Sequence, residues 1–236
     1  MDLDFMASTM LTLVAALPMT LALFSLSVIF GGLLALLVVW MRVGGNPVAR
    51  GFAKGYIFVF RGSPLLIQMF LVFYGLGQFG FIRYSFLWPA LREPFVCAVL
   101  SLSLCTAGYT AEIFRFGLRS IPAREIESAR AVGMSGFLLT RRILAPIAFR
   151  NALPAYSTEV MMMVKSTALA SLVTVWEVTD VAQRLIAQTY RTMEVFLCAA
   201  AIYLILNFLI LQLLALLEYR LSPHRRTAPL FPAAQQ

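Results

Sequence analysis

Three ionisable side chains fall inside apolar stretches of this sequence: Glu112 near the end of 94–116, and Glu159 and Lys165 within 154–176. A charge surrounded by hydrocarbon is costly, so each of them is a candidate for an ion pair or for the wall of a ligand pathway. Glu112 stands about 18 residues into its stretch, which at ~1.5 Å per residue places it near one membrane interface. Arg115, one helical turn on, can pair with it there. Lys165 follows Arg150 by 15 residues, roughly 22 Å along a helix and so close to mid-membrane. Glu159 precedes it by six residues, on a different helix face, and cannot be its i,i+4 partner. Two readings of the pair stay open. Both residues serve helix packing, or both face a cavity and meet the carboxylate and the amino or guanidinium groups of a zwitterionic ligand. Gln68, Ser166 and Thr167 are the polar candidates to line such a cavity with them.

The other reactive residue types point to packing. Met161, Met162 and Met163 are consecutive, so they splay over three directions of a helix and suit packing better than a metal stripe. Gly75, Gly77 and Gly80 match a GxGxxG pattern, but no strand precedes them. They read as glycines that allow close helix approach or end a span. No GxxxxGK[ST] occurs, so the chain has no loop of that kind to cradle ATP phosphates. Cys97, Cys105 and Cys198 lie in apolar segments with no CxxC pair and read as small buried hydrophobes. His224 sits among basic residues of the tail, in a solvated or lipid-headgroup setting. No catalytic set, metal site or cofactor site is expected.

The elements that must carry these residues follow from composition. The 236 residues are 61% hydrophobic and 13% charged, with a mean hydropathy of +0.84. Soluble domains carry about 45–50% apolar and about 25% charged residues, so this chain needs a second, lipid-like solvent. It reads as an all-α polytopic membrane protein with the bilayer as a partner. The net charge of +8 would suggest nucleic acid in a soluble protein. Here it fits Lys and Arg retained on the cytoplasmic side, and no nucleic-acid partner is expected.

A spanning helix needs about 20 mostly apolar residues. Five stretches qualify: 18–40, with Pro18 near its start, then 62–82, 94–116, 154–176 and 195–217. Basic residues concentrate in 42–61, 115–150 and the tail, whereas Arg83, Arg92, Arg184 and Arg191 fall in the alternate connections. The positive-inside rule then puts the N-terminus outside and the C-terminus inside. Asp2 and Asp4 stand where a cleavable signal would be basic, so none is expected. Residues 1–221 form the membrane domain, and the proline-rich tail 222–236 is expected to be disordered.

The connection 118–150 is the most informative cytoplasmic segment. A helix from about Ala123 to Val132 is stopped by Gly133 as a C-terminal cap. A second helix starts near Ser135 and is disturbed near Pro146. The two make a projecting element suited to docking a soluble partner. Glu127, Ala129, Gly133, Ile143 and Pro146 resemble the EAA loop of bacterial ABC importer permeases, with Ser128 and Ala145 replacing an alanine and a leucine of that pattern. Phe60–Gln68 is similar to the opening of the second span of polar amino-acid permeases. Ala111–Arg115 and Arg119–Pro122 resemble the same group's third-span exit. Leu153–Val160 and Lys165–Ser171 are similar to the M permease subunits of the histidine/lysine/arginine/ornithine and octopine/nopaline systems.

The resemblance implies a type I ABC importer permease fold in a bacterial inner membrane. It implies a subunit without a catalytic site, coupled through Glu127, Ala129 and Gly133 to a separate P-loop ATPase dimer that binds ATP and magnesium. A periplasmic solute-binding protein and a second permease subunit, more naturally a distinct chain than a copy, complete the implied complex. Basic amino acids or opines are the implied cargo, with other polar amino acids such as glutamine as the alternative. An ion-driven secondary transporter and a membrane scaffold for an ATPase are the rivals from other classes.

Overall fold

The structure, a computed structural model, describes residues 2–221. The tail 222–236, with His224, lies outside the described residues. Within 2–221 every regular element is a helix, and there is no strand. Helix α1 (Leu3–Val43) is 41 residues long and starts at Asp2, whose carboxylate accepts the Phe5 N–H at 3.2 Å. At ~1.5 Å per residue it reaches about 60 Å, twice the ~30 Å hydrocarbon layer. Pro18, expected near the start of this element, lies inside the unbroken helix. A proline removes one i→i−4 hydrogen bond, which neighbouring helices in a membrane bundle can offset.

Helix α2 (Pro47–Gly62) is capped by Asn46, whose side-chain oxygen accepts the N–H of Val48 at 2.9 Å and of Ala49 at 3.4 Å. It buries Ala53 and Ile57 against Ala35, Val38, Ala107 and Ala111. The chain then bends by 106° into Leu65–Gln78. That stretch comprises α3 (Leu65–Phe70), a π-turn at Leu71–Gly75 and a 3-10 turn at Leu76–Gln78. The stretch expected to span over 62–82 is therefore irregular and entered through a sharp bend. Of Gly75, Gly77 and Gly80 only Gly77 sits at a close approach, where a Cβ would stand 2.9 Å from the Trp88 ring, whereas Gly75 faces open space.

Two short helices, α4 (Gly80–Arg83) and α5 (Trp88–Leu91), lead into α6 (Pro94–Arg119), the centre of the bundle. Small residues let its neighbours approach closely, the packing device of membrane helices. A Cβ on Gly31 of α1 would overlap the Thr106 methyl, and one on Gly117 would overlap the Ala148 carbonyl. Helix α7 (Ala123–Ala131) follows, then α8 (Gly136–Leu139), a π-turn at Thr140–Leu144, α9 (Ala145–Ser166) and a 3-10 segment at Thr167–Val173. From Gly136 to Val173 these run as one continuous rod, ~57 Å long at 1.5 Å per residue. A 50° bend leads into α10 (Val178–Thr189), and α11 (Thr192–Leu221) closes the described chain.

Three of these helices are long and apolar enough to cross a membrane, and five crossings result if each bent pair counts as one. The core has three patches. Leu23, Met69, Leu102 and Met163 fill the middle. Leu13, Val178 and Cys198 lie at the α10–α11 end, and Ala35, Ile57 and Ala111 at the α2 end. Cys97, Cys105 and Cys198 are all buried and free.

Candidate functional site: a capped helix joined to a charged rod

The sequence pattern from Glu127 to Pro146 folds into one compact feature. Helix α7 ends in the left-handed residue Gly133, φ +82°. The Met134 N–H bonds to the Ala129 carbonyl at 3.0 Å, and the Gly133 N–H to the Arg130 carbonyl at 2.9 Å. This bond pair is a Schellman cap, which favours glycine at that position. Ala129 is buried beneath the turn, whereas Glu127 and Gly133 are exposed. Ile143 is half-buried within the π-turn. Pro146 comes immediately after that turn, early in α9, so the disturbance expected near it is a local π widening and not a break. Pro146 and Ala145 border an apolar groove of about 500 Å³ with Phe114, Leu118 and Phe149.

The same rod carries the candidates that the sequence places in an apolar stretch. Glu159 is half-buried, and its carboxylate accepts the Thr106 hydroxyl of α6 at 2.8 Å. Lys165 is exposed on a different face, with no carboxylate partner among the described residues. Ser166 donates to the Met162 carbonyl at 2.9 Å, and the buried Thr167 to the Val164 carbonyl at 2.7 Å. Both hydroxyls are thus engaged by their own helix. Gln68 stands apart from this group. Its buried amide nitrogen donates to the Phe60 carbonyl and to the Ser63 carbonyl and hydroxyl at 2.9–3.0 Å, pinning the α2–α3 corner. Met161–Met163 splay as expected, with Met163 buried and Met162 exposed.

Glu112 forms the anticipated ion pair with Arg115. A second partner, Arg42 of α1 at 3.6 Å, is one that sequence spacing could not reveal. Nor could it reveal the link at the other end of the rod. There Glu177 is fully buried, and its carboxylate accepts the Tyr203 hydroxyl at 2.7 Å and the Asp180 N–H at 3.0 Å. Just before it, Thr174 is left-handed, φ +63°, an uncommon backbone state for a β-branched residue.

Residues 27–223 match the family described as binding-protein-dependent transport system inner membrane component. The chain belongs to that family. As a permease of this class it is a multi-pass protein of the inner membrane. It is 50% identical over 225 residues to the octopine transport system permease protein of Rhizobium radiobacter, covering 95% of this chain and 92% of that one. It is 47% identical over 227 residues to the nopaline transport system permease protein of Agrobacterium fabrum (strain C58 / ATCC 33970), covering 96% and 94%. Among solved structures it resembles an amino acid ABC transporter crystallised with histidines, with TM-score 0.82 and 32% identity over 93% of this chain and 99% of that one. The permease fold expected from the residue pattern is therefore the fold observed.

Proposed function

We propose that this permease imports basic amino acids or opines and is driven by a separate ATPase that grips the segment from Ala123 to Pro146. The observation that carries this reading is the mechanical continuity of the chain. The Gly133-capped helix is followed directly by a rod that runs unbroken from Gly136 to Val173 and bears Glu159 and Lys165. Displacement of the capped helix moves that rod, and with it the polar residues inside the bilayer. Glu127 presents its carboxylate outward to the ATPase, and Ala129 and Gly133 set the shape of the turn.

Cargo chemistry follows from the two charges of the rod. Glu159, oriented by Thr106, offers a carboxylate to the guanidinium or amino group of the ligand, and Lys165 offers a cation to its carboxylates. The names of the octopine and nopaline relatives support that substrate class. The distribution of Lys and Arg supports placing the capped helix in the cytoplasm, with the N-terminus outside. A binding protein then docks on the opposite face, near residues 83–93 and 177–194, and a second, distinct permease subunit completes the pathway.

Reconstitution with the ATPase and binding protein tests the reading. Uptake of labelled arginine or octopine requires ATP and the binding protein. Uptake by the permease alone along an ion gradient would overturn it.

A further inference from the structure

Beside the capped helix, two cavities of about 480 Å³ each share Arg42 and Lys54 and form one trough. Arg61 lines one part, and Arg50, Arg115 and Arg119 line the other. Glu112 is the one carboxylate on either wall, and it is already engaged by Arg115 and Arg42. The remaining positive charge has little to neutralise it. Arg50 donates to the Gly44 carbonyl at 3.0 Å, and the Arg61 guanidinium stands 5.0 Å from the Tyr109 ring centre. The Nε of Arg42 is buried, 3.6 Å from the Glu112 carboxylate and without a hydrogen bond. Six cations facing one occupied carboxylate repel one another unless an anion enters.

The flank of the trough says which anion. Helix α2 exposes Val48, Phe52, Phe58 and Val59, while Arg50, Lys54 and Arg61 on the same helix serve the trough. Apolar and basic residues on one surface helix are the signature of an element that lies in the headgroup region. Free phosphate would satisfy the arginine forks but gains nothing from the apolar flank. A phospholipid satisfies both at once, with its phosphate in the trough and its acyl chains along α2. Basic pockets between membrane helices on the cytoplasmic side suit anionic headgroups for this reason.

We propose that the trough between the end of α1, helix α2 and the inner end of α6 binds the headgroup of an anionic phospholipid. The trough also touches Ile126 of α7 and Leu144 of the π-turn, so the bound lipid braces the capped helix from the membrane side. The proposal does not depend on which solute is carried.

The test uses the assembled transporter in nanodiscs, with retained lipid counted by native mass spectrometry after exchange into phosphatidylcholine. The wild type is expected to retain phosphatidylglycerol. The double variant Arg50→Gln/Lys54→Gln should retain it about 25-fold less tightly, a fivefold loss per charge from the ~1 kcal/mol that each cation contributes near an anionic surface. Arg83→Gln, in a different connection, should leave retention unchanged. Equal retention by wild type and double variant would overturn the proposal. So would displacement of the lipid by millimolar inorganic phosphate, which would make free phosphate the ligand. Competition of phosphatidylglycerol against phosphatidylcholine on the wild type needs no variant, and no preference there would also overturn it.

Discussion

The Thr106 hydroxyl of α6 donates to the Glu159 carboxylate of α9 across 2.8 Å, linking the central helix of the bundle to the rod that leaves the capped segment. A hydroxyl held on a carboxylate leaves acceptor capacity on that carboxylate for a ligand cation.

If Glu159 receives that cation, Glu159→Gln should raise the KM for arginine or octopine uptake about 10- to 100-fold, the worth of a hydrogen bond to a charged group. Thr106→Val should have a smaller effect in the same direction, because the charge remains. Lys165→Met should impair ligands with additional carboxylates more than it impairs arginine. Uptake assays on proteoliposomes with matched permease content check all three, and unchanged uptake in Glu159→Gln would remove the residue from the pathway.

Gln68 should behave differently. Its amide satisfies two carbonyls at the α2–α3 corner, so Gln68→Leu strands that of Ser63 and leaves that of Phe60 with only the Cys105 thiol at 3.8 Å, at a cost of about 1–3 kcal/mol. A lower thermal midpoint of the purified complex with an unchanged KM is the expected outcome. A changed KM at unchanged stability would return Gln68 to the pathway.

Much of this architecture was legible in the residues because it depends on local patterns. Charge-free stretches mark spans, Gly133 marks a helix stop, and Glu112 and Arg115 sit one turn apart. The 106° bend after Gly62, the corner role of Gln68 and the Thr106–Glu159 and Glu177–Tyr203 bonds arise from contacts between distant segments. Pro18 lies inside α1 and not at its start, because a charge-free run says where lipid is tolerated while the helix start is set by Asp2, 16 residues earlier.

The N-terminal end of α1 should show a specific pH response. A hydrogen bond from Arg191, at 3.0 Å, holds the Asp2 carboxyl below the usual aspartate range. A carboxyl with a depressed folded-state pKa contributes stability that is present above its ordinary value and lost as pH falls through the lowered one. A spin label at Leu3→Cys should therefore keep its mobility from neutral pH down to about 4, the ordinary aspartate region, and loosen only below it. Arg191→Gln should raise the pH at which loosening begins.

The cap makes a conformational prediction. At φ +82°, Gly133→Val costs about 1–3 kcal/mol of backbone strain and should tilt α7. Gly133→Asn, which tolerates the left-handed region, should be milder. Uptake is expected to fall with Val and to recover largely with Asn, at equal assembly of the complex.

The most direct measurement of the coupling claim is photo-crosslinking from position 127 in the assembled transporter, with a maleimide benzophenone on Glu127→Cys. A crosslink to the ATPase subunit is expected, its yield changing when ATP binds, with the reagent reaching position 127 only from the cytoplasmic face. A label that enters from the periplasm, or a position 127 that never captures the ATPase in an active complex, would contradict it.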